Sequence, residues 1–282
     1  MITHYECISC AINGILNLFN QNLIDSKYKD KIMKEILKYY SELDFNISPL
    51  QVNGNIHRMV REISGNSDPY KILKDKYNEK ALKLYPEYTQ TVKNAEVPFN
   101  KALRLAVAGN VIDFGPGHNI DINKSIEEIF NSNLSIDHSE DLLNEINRAK
   151  NILYIVDNTG EIVFDRIFLE TINHSNVIIS VKKSPILNDA TLEDARFVGL
   201  DKLGIIIDNG YDAPGTLLSA VSEEFTEAFN NADLIISKGQ GNYEGLNKSE
   251  NKNIFFLLVA KCDIIAKDLG VGKGGFIVKN IN

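Results

Sequence analysis

The sequence predicts an α/β protein: a Rossmann-like, mostly parallel sheet with flanking helices, preceded by an all-helical N-terminal region. Residues 1 to about 110 carry helical periods and helix punctuation with little strand character. From Asn151 onward, short Ile/Leu/Val runs alternate with amphipathic stretches, the pattern of strands joined by crossover helices. Four of those runs end directly in polar or glycine residues, which a parallel sheet gathers along one edge. The expected organisation is a helical region over 1–110 that roofs the site, then an α/β domain over 111–282.

In the helical region, Ser48-Pro49 and Asp68-Pro69 each place a capping side chain before a proline at a helix's first position. Gly65 ends the helix between them. Pro86 is expected to break the next helix and Pro98 to open another that runs to Gly109. A Gly- and Asn-rich connection spans Gly109 to Asn123; Ser125 with Glu128 forms a capping box, and Ser139 caps one more helix. The expected strands are Ile152 to Val156, Val177 to Lys182, Gly204 to Asp208, Leu234 to Ser237, Ile254 to Ala260 and Gly275 to Val278.

Composition narrows the function. The 282 residues suffice for a sizeable core, and 44% hydrophobic content is ordinary for a soluble globular protein. A formal net charge of −8 disfavours a nucleic-acid backbone as partner. No apolar stretch reaches membrane-spanning length, MITHYECISC lacks signal-peptide order, and three cysteines form no paired framework. A cytoplasmic protein is expected; oligomeric state is not legible.

The most informative segment is NILYIVDNTGEIVFDRIFLE, residues 151–170, where a buried-type strand stops at Asp157-Asn158 and a helix starts past Gly160. Asp157 offers an anionic oxygen and Asn158 a neutral one, which suits a hard divalent metal; equally, the pair could cap the next helix. Asp189, at the second strand's edge, fits a second metal carboxylate or the N-cap of a helix beginning near Thr191. At the fourth edge, Lys238-Gly239-Gln240-Gly241-Asn242 fits a phosphate cradle of a lysine and turned backbone amides, or a plain glycine-rich loop.

Asp208-Asn209-Gly210 reads chiefly as a turn. Asn110 and Asp113 either enter the crevice from the roof or terminate a helix. Cys7 and Cys10 fit two small helix residues or half of a zinc site, His57 with Arg58 and Arg61 a solvated basic face or an anion roof, and Lys71 to Lys83 an exposed charged face.

Taken in order, ECISC, AGNVID, DNTGEIVFD, SPILNDAT and KGQGN resemble the damage-control phosphatases, first catalogued as domain of unknown function 89, and their compact prokaryotic branch with an N-terminal Cys-x-x-Cys. The resemblance runs from Cys7 to about Ile277. It implies metal-dependent hydrolysis of small phosphometabolites, with Mg, Mn, Co or Ni held by Asp157, Asn158 and Asp189. It further implies that Lys238 contacts phosphate and that Asn110 and Asp113 match the family's Gly-Asn-x-x-Asp motif; on the residues' own reading, Gly239, Gly241 and Asn242 join Lys238 in holding the substrate's phosphate. The alternatives are a non-catalytic metabolite or metal sensor and a Rossmann-like S-adenosylmethionine-dependent methyltransferase, the latter weakened because the G-x-G-x-x-G expected after a first strand is missing there.

Overall fold

The computed structural model describes residues 1–109 and 122–281, so Asn110 and Asp113 lie outside the described residues. The chain begins with α1 (Tyr5–Asn20), α2 (Ser26–Ser41), α3 (Pro49–Ser64), α4 (Lys71–Lys93) and α5 (Pro98–Gly109). Then follow α6 (Ile122–Asn131), β1 (Ile136–Asp137), α7 (Ser139–Arg148), β2 (Ile152–Ile155), α8 (Glu161–Ile172), β3 (Val177–Val181), α9 (Leu192–Phe197) and β4 (Ile205–Asp208). The last elements are α10 (Glu223–Asn231), β5 (Leu234–Lys238), α11 (Gln240–Leu246), β6 (Ile254–Val259), α12 (Asp263–Leu269) and β7 (Phe276–Asn280). Among the described residues no helix is long and apolar enough to cross a membrane.

The strands form one sheet in the order β1-β7-β6-β5-β2-β3-β4, parallel throughout except for the β6–β7 pair. The mostly parallel sheet read from the sequence is therefore present, with β1 as an unforeseen two-residue edge. β2 sits between β3 and β5, with every residue from Ile152 to Ile155 buried, because helices cover both faces.

Strand parity divides the core. Ile152, Tyr154 and Val156 face one layer together with Leu234 and Ile236, whereas Leu153 and Ile155 face the other. The first layer also holds Tyr77, Ala81, Ala102, Leu105 and Phe164, so α4 and α5 pack directly on α8 and the sheet. Helices α1 to α3 close instead around a separate apolar cluster that includes Ile15, Leu18, Ile32, Ile36, Val52 and Ile56.

Several local expectations need correction. Pro86 lies inside α4 instead of ending it; buried Tyr77 and Ala81 before it and Tyr88 and Val92 after it hold both halves on the core, offsetting the lost backbone bond. α6 starts at Ile122, ahead of Ser125, and Ser139 is the first residue of α7, with His138 at the cap position. The Lys71–Lys83 run is not uniformly solvated, since Lys74 is buried on Asp194 at 2.9 Å and Asp68 at 3.2 Å.

His57 is buried beside Tyr70, and burial together with the Arg61 charge pushes its pKa down to about 4. Arg58 and Arg61 both close on Asp212, at 2.6 and 2.8 Å, fastening α3 to the loop after β4. That set is thus a structural clamp, neither a solvated face nor an anion roof. Cys7 and Cys10 lie on α1 as free thiols, and among the described residues no group of three or more His, Cys, Asp and Glu side chains is poised as a metal cage.

Candidate active site

The paired registers Ile155↔Ser180 and Ile155↔Ser237 fix what lies along the strands' carboxyl edge. Two residues further on, Asp157 falls level with Lys182 on one side and Gly239 on the other. Past the strands, the loops after β2 and β3 continue to pair. The Ala190 amide donates to the Asp157 carbonyl at 2.8 Å, the Thr159 amide to the Asn188 carbonyl at 2.8 Å, and Asn158 and Asp189 form an antiparallel bridge. This backbone zipper brings Asp157 and Asn158 together with Asp189, which lies 32 and 31 residues further along the chain.

The capping alternatives for these acids do not hold. α8 is preceded by Gly160 at the cap position with no side-chain cap bond. Thr191 caps α9, with Asp194 completing the capping box, so Asp189 is left for other work. Asn158 Nδ2 donates to Asp157 Oδ2 at 2.7 Å and to Glu161 Oε2 at 3.0 Å. With both N–H bonds committed, the amide can offer only its oxygen to the crevice.

Asp157 and Asp189 are 8% and 3% exposed. Burial, reinforced by the Glu161 and Asp189 charges, pushes the Asp157 carboxyl well above the usual carboxylate range. Burial likewise lifts Asp189 to about 6, against the pull of Lys182 and Lys74. Asp189 Oδ2 is a buried oxygen without a hydrogen-bond partner among the described residues. Two adjacent desolvated carboxylates, an orphaned carboxylate oxygen and an oriented amide oxygen fit a hard divalent cation.

Lys238 and Asn242 are placed differently from their sequence-based expectation. Lys238 continues the parity of Leu234 and Ile236 and therefore enters the α5/α8 layer. Its ammonium donates to the Ala106 carbonyl at 2.8 Å, Glu161 Oε1 at 2.7 Å and Asp165 Oδ1 at 2.5 Å. Tyr154 also donates to Asp165 Oδ1, at 2.8 Å. Burial works against ionisation of Glu161, but Lys238 outweighs it and holds that carboxyl below its usual range. The same two acids more than offset burial at Lys238, raising it to about 12. Lys238 is a fully bonded member of a buried charge network, not a group aimed at the crevice.

Asn242 is buried as well, donating to the Val156 and Lys238 carbonyls at 3.2 and 2.8 Å and accepting from Thr216 at 2.8 Å. It ties α11 to the ends of β2 and β5. Gly239 has φ +80°, and a Cβ there would overlap the Asp157 carboxylate. Gly241 packs its backbone against Gly215 of the loop after β4. Asp208 and Asn209 accept from Gly210 and Tyr211 amides, making the turn that the sequence suggested.

Two groups escaped sequence reading. Asn78 on α4 accepts from the Gly160 amide at 2.8 Å and donates to Asp194 at 3.2 Å, anchoring the starts of α8 and α9. Exposed Lys261, just past β6, lies within electrostatic reach of Asp157 and Glu161. Neither stands in a motif, and both act on partners more than 80 residues away.

A family described as the damage-control phosphatase ARMT1-like domain matches residues 3–277. A damage-control phosphatase of Pyrococcus horikoshii is 39% identical over 98% of this chain and 97% of its own length. A damage-control phosphatase of Archaeoglobus fulgidus is 34% identical over 97% of each. An uncharacterised protein of Methanocaldococcus jannaschii is 39% identical over 95% of this chain and 92% of its own. The crystal structure of a DUF89 family protein from Pyrococcus horikoshii superimposes with a TM-score of 0.90 at 38% identity, covering 100% of both chains. The chain belongs to the damage-control phosphatase ARMT1-like family.

Proposed function

We propose that the chain is a divalent-metal-dependent phosphatase of small phosphorylated metabolites. The observation that carries this reading is the pair of buried carboxylates, Asp157 and Asp189, zipped together at the sheet's carboxyl edge, with an Asp189 oxygen that accepts no hydrogen bond among the described residues. The names of the Pyrococcus horikoshii and Archaeoglobus fulgidus relatives support the activity. A divalent ion on Asp157, Asn158 and Asp189 would supply charge stabilisation and a more acidic water.

The chain's own residues do the rest. Glu161 fixes the Asn158 amide through its Nδ2 and backbone N–H, at 3.0 and 3.4 Å. The Lys238 network holds Glu161 in turn, so the amide oxygen is pre-set toward the crevice. Thr159 stands two residues after Asp157, where aspartyl-phosphate phosphatases carry a second acid, which favours attack by water over a phosphoenzyme.

The test is phosphate release by metal-free protein across a panel of sugar phosphates, nucleotides and other phosphometabolites, with Mg²⁺, Mn²⁺, Co²⁺ or Ni²⁺ added and Asp157→Ala alongside. Metal-dependent release that is lost in the variant is expected. Binding of a phosphometabolite without release, under all four metals, would replace the enzyme by a sensor.

A further inference from the structure

Lys182, at the end of β3, is as deeply buried as the carboxylates it faces, at 3% exposure. Its ammonium donates to the Gly215 carbonyl and stands 3.6 Å from Asp189 Oδ2, the orphaned oxygen. It also lies within electrostatic reach of Asp157. An ammonium carries three N–H donors, and among the described residues Lys182 has one hydrogen-bond acceptor and one looser ionic partner. Lys238, by contrast, meets three acceptors at 2.5–2.8 Å and has no donor left for a ligand.

The backbone explains why Lys182 is held there. Its amide donates to the Ala190 carbonyl at 2.9 Å, so the residue belongs to the same zipper that positions Asp189. Gly215, whose carbonyl accepts one Lys182 hydrogen bond, packs so closely against the Gly241 backbone and Leu50 that a Cβ there would overlap Gly241.

Building on the phosphatase reading, we propose that Lys182, not Lys238, is the lysine that holds the substrate's phosphoryl group, and that in the absence of substrate it serves as the counter-charge to Asp189. The two roles are consecutive. Without a metal the ammonium is the nearest cation to Asp189 Oδ2; were Asp189 to hold a divalent ion instead, the ammonium donors not taken by Gly215 would remain for a phosphoryl oxygen. Removing the Lys182 charge therefore acts with opposite sign on two ligands: it frees Asp189 for a divalent cation and takes a donor away from the anion.

Calorimetry reads both without turnover. Mn²⁺ is titrated into metal-free wild type, Lys182→Met and Lys182→Arg, and inorganic phosphate is then titrated into the Mn²⁺-loaded proteins, with thermal melts as a folding control. Lys182→Met should bind Mn²⁺ roughly tenfold tighter, because one repelling charge is gone. It should bind phosphate about tenfold to a hundredfold more weakly, the worth of a charge-assisted contact. Lys182→Arg should recover part of the phosphate affinity. Equal phosphate affinity in wild type and Lys182→Met, or unchanged or weaker Mn²⁺ binding by a folded Lys182→Met, would overturn the proposal. If wild-type protein takes up Mn²⁺ but no phosphate, the phosphate role of Lys182 fails, whereas the phosphatase reading fails separately, by the absence of phosphate release in the substrate panel.

Discussion

Lys182 and Lys238 sit two strands apart along the same edge, equally hidden from water, and they have opposite fates. Burial dominates at Lys182, whose pKa is lowered despite Asp189 and Asp157. At Lys238 the contacts dominate, and the pKa rises to about 12. The difference lies in the faces they enter. Lys238 drops into the α5/α8 layer, where two acids and a carbonyl saturate it, while Lys182 stays with the carboxylates at the crevice. A buried charge with all its bonds made contributes structure; one with bonds left over is available to a ligand.

The largest expected effect breaks the saturated side. Lys238→Met leaves Glu161 and Asp165 buried without their cation, which should cost about 3–5 kcal/mol of stability, read by chemical denaturation. A variant as stable as wild type would mean the network is not ionised as described. Next comes Gly239→Ala, where a left-handed φ and the Asp157 carboxylate both oppose a methyl group. It should cost about 2–3 kcal/mol, with loss of metal binding seen by calorimetry.

Removing Asp212, by Asp212→Ala, tests the clamp between α3 and the loop after β4. Its partners are partly exposed, so about 1 kcal/mol of stability is expected to be lost, with limited proteolysis reporting a loosened α3.

The smallest effect is one of pH on the metal-free protein. Asp189 titrates near 6 when folded and in the ordinary carboxylate range when unfolded, so the folded state holds its proton longer. Stability associated with that proton is fully present below the unfolded value and is lost as pH rises through about 6. Thermal melts of metal-free wild type should therefore fall between about pH 4 and pH 6. Asp189→Asn should flatten part of that slope, leaving the part due to Asp165, which burial also lifts to about 6 against Lys238.

Much of this was legible in the sequence, for local reasons. Apolar runs ending in Asp157-Asn158, Lys182-Lys183 and Lys238-Gly239 mark where strands stop, because a chain leaving a buried sheet must turn polar at once. The identity of the crevice edge followed from that. Even the direction of Lys238 was latent in the alternation Leu234, Ile236, Lys238, since period two places it with the core-facing pair. What alternation could not supply was the list of acceptors waiting there.

By itself, then, the chain's order of apolar and polar residues determined the parallel sheet, its carboxyl edge and the acids on it. Only the tertiary structure decided that Asn158 and Asp189 meet across a bridge and that Asn78 anchors the helix after the motif. Only it decided that one lysine is consumed by Glu161 and Asp165 while another is left facing Asp189. Secondary structure is set by neighbours within a few residues, whereas the state of a buried charge is set by whichever distant groups the fold brings within hydrogen-bond reach, 73 and 77 residues away for Lys238.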